Sequence, residues 1–399
     1  VKYLEIYNNM YYSNVKSEQI TKSGIVINDK AEILADKELQ DIILKYFDET
    51  QICDKKIYGT YRNKKYCIYY KNISYLGNPW PLHKKRIQIA KSFSELYEDN
   101  SKKGINTLII GVYSYKGNII LVDFQIKQRG KNSSAHVYSN DLRHATINGY
   151  FKKTDNMGNV IIAFNPTKKE VVEAYLEEKL YNENLMGLPF ISYFDNFFDD
   201  IDKNLNGIRC YKEMSTNNYN NARQSEWAGF YMEYKLEQYL NKFDVSTVIQ
   251  FLHNKSKGQV DLDLYFPQNQ CYGDLKTHSN DSKGILGNDL QTIKKIINKS
   301  SIYYIVCNHD TEKDKDYDYE VTIFWNKLCN KDNLYSYGEK MKHSIKITDY
   351  QILEINKFNG KYLGIFNQGI NSNQKSRAPK IQIKERDINN FLIHKRKYA

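Results

Sequence analysis

Apolar positions recur along this chain with two periods, two residues in some stretches and three to four in others, and the changes of period mark its elements. Over 56–76 aromatic and β-branched residues alternate about Arg62-Asn63-Lys64, which predicts a hairpin. A second hairpin is predicted over 108–127 about the turn Lys116-Gly117-Asn118, and a further strand over 158–164. Helical spacing predicts helices over 35–47, 84–97, 141–146 and 167–181, the last with Thr167 and Glu170 as a capping box. Helices interleaved with antiparallel strands make the first half α+β. The Asn- and Asp-rich stretch 182–220 reads as turns and as the boundary, so the expected domains are 1–190 and 191–399.

Beyond the boundary the order changes. An amphipathic helix is expected over 225–243, strands over 260–266 and 271–277, a helix over 289–298, and strands over 302–307 and 319–325 about a charged loop at 312–318. Helix–strand–strand–helix–strand is the pattern of an α/β core, a mixed central sheet flanked by helices. The tail 375–397 carries eight basic residues against Glu385 and Asp387.

With 399 residues and 41% hydrophobic content, the chain can bury a sizeable core and is no disordered polyelectrolyte. No run approaches the ~20 apolar residues of a membrane helix, and the first residues lack the layout of a secretory signal. No membrane association is expected. The six cysteines are scattered without a CxxC pair, so free thiols in the cytoplasm are expected. A surplus of 58 Lys+Arg over 47 Asp+Glu, net +11, attracts polyanions. An AT-biased genome writes the same Lys-, Asn- and Tyr-rich composition, so charge alone does not assign a partner.

The chemistry concentrates in 257–278, KGQVDLDLYFPQNQCYGDLKTH. Val260, Leu262 and Leu264 alternate with Asp261, Asp263 and Tyr265. Pro267–Gln270 has turn composition. If Phe266 faces Cys271, Asp263 faces Asp274 and Asp261 faces Lys276, with opposed Cβ atoms about 4.5–5.5 Å apart. Three carboxylates and one ammonium then share one patch. Like charges that close repel, and a divalent cation answers the repulsion. Carboxylate, water and phosphate oxygens suit Mg²⁺.

An Asp on one strand followed by Asp274-Leu275-Lys276 on the next resembles the PD-(D/E)XK nuclease superfamily, and within it the type II restriction endonucleases. Val260 stands where many members carry proline. The resemblance covers roughly 222–330. It implies a restriction-endonuclease-like core that hydrolyses phosphodiester bonds of double-stranded DNA, with Asp263 or Asp261 and Asp274 as Mg²⁺ ligands and Lys276 positioning the water. It also implies a Glu from the preceding helix. Glu226, Glu233 and Glu237 are available, and Glu233, four residues after Gly229, matches best. His278, Gln291 and Lys294 are further residues near the motif.

The first half then becomes an α+β DNA-recognition domain. Its candidate contacts are Lys84, Lys85 and Arg86, with Arg129, Lys131, Ser133, Ser134, His136, Asn140 and Arg143 from the polar stretch 125–143. Gln125-Ile126-Lys127 imitates the nuclease motif, but the strand before it supplies no carboxylate. Cutting both strands implies a homodimer on DNA, or sequential nicking. The expectation is a Mg²⁺-dependent type II restriction enzyme. A methylation-dependent or repair nuclease of the same fold, and a DNA-binding protein with a merely structural acidic patch, are the alternatives.

Overall fold

A computed structural model describes residues 15–89, 92–125, 133–155, 158–182, 188–219, 226–252, 262–330, 341–369 and 377–398. The chain divides into two compact units, Val1–Gly187 and Leu188–Ala399. Both mix helices with sheets, and the fold is α+β. Among the described residues no helix is long and apolar enough to cross a membrane.

The first unit runs β1 (Lys16–Ile20), β2 (Val26–Lys30), α1 (Asp36–Leu44), β3 (Asp48–Cys53), β4 (Lys56–Tyr61), β5 (Lys64–Asn72), β6 (Ser74–Tyr75), β7 (Lys84–Ile89), α2 (Ser92–Lys102), β8 (Ile105–Tyr115), β9 (Asn118–Asp123), β10 (Ser133–Tyr138), α3 (Ser139–Asn148), β11 (Tyr150–Thr154), β12 (Val160–Phe164), α4 (Lys169–Leu176) and α5 (Lys179–Asn182). Its main sheet has the order β11-β12-β9-β8-β5-β4-β3. The hairpins β4–β5 and β8–β9 form where the alternation predicts them. β5 and β8 run parallel, and the long crossover this requires contains α2. Leu39 and Ile43 of α1 and Tyr175 and Leu176 of α4 close one face over Ile68, Tyr70, Ile110 and Ile162.

Two local expectations fail here. The first turns of the helix expected over 84–97 are instead β7, held between β6 and β10. Lys85, Ile87 and Ile89 are all buried, a period of two that two-sided pairing selects over the helical spacing. The helix expected over 167–181 breaks at Glu178, whose φ is 64°. Its capping box does not form: Lys168 is the cap, and the Thr167 hydroxyl donates to Asn165 Oδ1 at 2.7 Å.

The second unit runs α6 (Phe190–Asp200), β13 (Asn204–Asn206), α7 (Gly207–Thr216), α8 (Trp227–Phe243), β14 (Gln250–Phe251), β15 (Leu264–Phe266), β16 (Cys271–Ser279), β17 (Gly284–Asp289), α9 (Leu290–Ile297), β18 (Ile302–Lys313), α10 (Glu320–Leu328), β19 (Lys342–Ile355), β20 (Gly364–Phe366), β21 (Lys380–Lys384) and β22 (Leu392–Lys397). Its main sheet is mixed, in the order β13-β19-β18-β16-β15-β14, with β22 also on β19. β16 and β18 are parallel, and β17 and α9 cross between them. A small sheet β17-β21-β20 and α9 bury Ile285, Ile293, Ile381 and Ile383 with Tyr304, Val306 and Leu353 of the main sheet.

Corrections here have a common cause, partners distant in sequence. Residues 190–200 and 207–216, read as turns, are helices. α6 buries Phe190, Ile191, Phe194, Phe197 and Phe198, a helical stripe that the surrounding Asp residues obscure. The strand expected over 319–325 is α10, whose Val321 and Thr322 amides donate to Asp314 at 2.9 and 2.7 Å. The basic tail is no free arm: Lys395 pairs with Asp349 at 3.1 Å and Arg396 with Asp199 at 2.6 Å.

Gly273 marks the tightest approach behind the candidate site. A Cβ there would lie 2.5 Å from the Phe266 ring, itself stacked on Phe190 at 4.0 Å, and 3.0 Å from the Tyr303 carbonyl oxygen. Overpacking of this kind costs about 1–3 kcal/mol. Gly273→Ala should therefore lower the thermal midpoint by several degrees, measured by circular dichroism. An unchanged midpoint contradicts the close packing.

Candidate active site

β15 and β16 are joined by a 3-10 turn over Pro267–Asn269 that ends on Gln270 at φ 49°. The register is the expected one: Phe266 pairs with Cys271, Tyr265 with Tyr272 and Leu264 with Gly273. One step further along it, Asp263 stands opposite Asp274. Asp261 lies outside the described residues.

Asp274, Lys276 and His278 alternate along β16 and share one face. Asp274 is completely buried. Lys276 Nζ lies 2.7 Å from its Oδ2, an ion pair. The Lys276 side chain is 25% exposed, so the site opens towards solvent from the lysine side. Burial pushes the Asp274 carboxyl well above the ordinary carboxylate range. The Lys276 charge opposes this, and Asp263, by charge and carboxyl contact, reinforces it. For Lys276 burial acts downward, but the charges of Asp274, Asp263 and Glu233 prevail and hold the ammonium above its usual value. Lys276 is thus a cation at neutral pH.

Glu233 comes from α8, which passes β16 at Gly229, where a Cβ would sit 3.6 Å from Thr277 Oγ1. Its charge reaches Lys276. Glu226 is directed elsewhere and pairs with Lys342 at 3.5 Å. Glu237 is partly exposed further along the helix. Gln291 and Lys294 lie on the exposed side of α9.

Sequence reasoning missed what lies behind His278. Its Nδ1 is 3.1 Å from Asn308 Oδ1, Asn308 Nδ2 donates to Asp349 Oδ1 at 2.6 Å, and Lys395 lies 3.1 Å from the same oxygen. A polar chain therefore crosses β16, β18 and β19 to the basic tail. Burial lowers the His278 pKa, so the ring is neutral at neutral pH. Only the pairing of β18 with β19 brings Asp349 here, and no local signal announces it.

The donor set is oxygen-rich and hard. Among the described residues no group of three or more His, Cys, Asp or Glu side chains is arranged to hold a metal ion. The carboxylates that meet are the pair Asp263 and Asp274. A buried carboxylate beside a second carboxyl fits Mg²⁺, which keeps several waters and takes few protein ligands.

In the first unit Arg86 and His136 are cross-strand neighbours on β7 and β10, and Arg86 Nη1 donates to Ser134 Oγ at 3.4 Å. All three are partly exposed. Lys84 lies over the Trp80 ring at 4.5 Å, and Arg143 is partly buried. Lys85 and Asn140 depart from the expected DNA contacts because both are buried. Burial pushes the Lys85 ammonium down to about 8, and its Nζ lies 3.4 Å from Ser17 Oγ. Ser133 lies in β10. Its side chain, Arg129 and Lys131 lie outside the described residues, as do Ile126 and Lys127 of the imitating motif.

The geometry thus defines an α+β protein with a carboxylate pair and a lysine on adjacent strands of a mixed sheet. Residues 64–168, in the first unit, match the family model described as Methylase-associated X1. No curated protein and no solved structure matches the chain.

A carboxyl whose pKa is raised on folding contributes stability that is fully present below its ordinary value of 3.8 and is lost as pH rises through the raised value. Asp274→Asn cannot ionise. In EDTA, its thermal midpoint relative to the wild type should rise as pH increases above the ordinary carboxyl value of 3.8. A difference constant over that range contradicts a strained carboxyl at this position.

Proposed function

We propose that the chain is a Mg²⁺-dependent, site-specific endonuclease acting on double-stranded DNA, a restriction enzyme of type II. The observation that carries this reading is the Lys276 ammonium 2.7 Å from the buried Asp274 carboxylate, with Asp263 across the hairpin. The match of residues 64–168 to a methylase-associated family supports a place in a restriction-modification system, where a nuclease accompanies a methylase. The net charge of +11 suits a polyanionic substrate.

Asp263 and Asp274 would hold the ion, with Glu233 in or behind its ligand set and Asp261 as the alternative on the first strand. When bound, Mg²⁺ offsets phosphate charge and acidifies a bound water. Lys276 holds its proton at neutral pH, so it is no general base. It orients the attacking water and stabilises negative charge developing on the phosphate. In-line attack, with the 3′ oxygen departing, leaves 5′-phosphate and 3′-hydroxyl ends.

A second reading has its own support. Asp274 is wholly buried, and the described residues contain no larger metal-holding cluster, which suits a structural acidic patch in a DNA-binding protein. Incubation of the purified chain with unmodified and methylated plasmids, in Mg²⁺ and in EDTA, separates the two. The nuclease reading expects discrete fragments from at least one plasmid in Mg²⁺ and none in EDTA. Lys276→Ala should lower the rate by about 10²-fold or more. DNA binding without cutting of any plasmid, or undiminished cutting by Lys276→Ala, supports the second reading or removes Lys276 from the chemistry, respectively.

A further inference from the structure

The first unit contains a cavity of about 370 Å³ that the proposed nuclease chemistry does not use. Four tyrosines line it, Tyr66, Tyr97, Tyr175 and Tyr181, with Ser101, Asn106, Thr107, Gln125 and Glu178 as polar members. Its walls are fixed from behind. The buried Asp123 carboxylate accepts hydrogen bonds from the Tyr175 hydroxyl at 2.9 Å, the Tyr181 hydroxyl at 2.6 Å and the Gln125 backbone N–H at 3.0 Å. Tyr66 donates its hydroxyl to the Leu176 carbonyl oxygen at 3.3 Å, and Phe164 stacks on Tyr175 at 4.3 Å. Three of the four hydroxyls are therefore engaged inside the protein; Tyr66 and Tyr175 are buried and form the back wall, and the partly exposed rings of Tyr97 and Tyr181 are the π surface a ligand would meet.

Rigid aromatic walls with a few carboxamides suit a flat heteroaromatic ligand, held by stacking and read at its edge. Charge at the edge is balanced: Glu178 lines the cavity and pairs with Lys64 at 3.0 Å, and its neighbour Glu177 pairs with Arg62 and Lys179. Paired charge leaves the cavity suited to an uncharged base. Most of the lining falls within the residues that match the methylase-associated family.

We infer that the tyrosine-lined cavity of the first unit binds a single nucleobase, extruded from a DNA strand. The inference rests on the reading of this chain as a DNA-binding protein. Extrusion is how proteins that act on or inspect one base of a duplex reach its edges, and the unstacking is offset by stacking in the pocket.

The test uses the full chain and a panel of deoxynucleosides, the four ordinary ones together with N6-methyldeoxyadenosine and 5-methyldeoxycytidine. Binding is read by ligand-observed NMR and calorimetry. At least one member should bind. Tyr97→Ala and Asn106→Ala, each checked for folding by circular dichroism, should weaken it, Tyr97→Ala by about tenfold or more, while Tyr97→Phe retains it. Asp274→Asn and Lys276→Ala should bind the nucleoside as the wild type does, so a failure of the nuclease reading leaves this result intact. Oligonucleotides, single-stranded and duplex, should displace the nucleoside. Undisturbed nucleoside binding at saturating oligonucleotide overturns the DNA source and makes this a free-nucleotide site. Absence of binding by every member of the panel, or equal binding by Tyr97→Ala, overturns the proposal.

Discussion

Two carboxyls facing each other across a strand pair, one of them without solvent, are stable in company and not alone. Burial drives Asp274 towards its protonated form, and Asp263 opposite drives it further. Lys276, 2.7 Å away, opposes both. The ammonium in turn is kept charged by the carboxylates around it. Each group's state depends on the others, and the backbone enforces the grouping. The β15–β16 register brings the carboxyls together, the alternation of β16 puts Lys276 beside Asp274, and Gly273 lets Phe266 and Tyr303 pack directly behind them. A divalent cation between the carboxyls would relieve this repulsion, which ties the geometry to the proposed chemistry.

The hairpin was legible because everything that defines it is local. Alternation over 262–266 and 271–277, the Pro267–Gln270 turn and the pairing of Phe266 with Cys271 sit within a few residues of one another. The helix over 227–243 was legible from the amphipathic period, while Glu233 was singled out on it by resemblance alone. What surrounds the site was not. The polar chain from His278 through Asn308 to Asp349 exists only because β19 pairs with β18, and β19 lies more than forty residues further on. In the same way α10 takes its cap from Asp314, and β7 becomes a strand through partners on both sides. Lys85 shows the same limit. In sequence it reads as one of three basic residues offered to phosphate, yet the β7 alternation turns it inward beneath Ser17.

Charge divides between the units in a comparable way. In the basic tail, Lys395 and Arg396 are held by Asp349, Asp195 and Asp199. Partly exposed polar side chains of the first unit include Arg86, Ser134 and His136 on β7 and β10. The residues that match the methylase-associated family include them. Under the proposed function, recognition would fall to the first unit and hydrolysis to the second, since a base-reading surface and a hard-cation site need opposite electrostatics.

Binding of Mn²⁺ as a paramagnetic substitute for Mg²⁺, followed by electron paramagnetic resonance on the full chain, tests the central claim most directly. If Asp263 and Asp274 form a hard-cation site, the wild type takes up the ion at the hairpin, and both Asp274→Asn and Asp263→Asn lose it while remaining folded. Uptake that is absent from the wild type, or unaltered in both variants, contradicts a metal site at this hairpin.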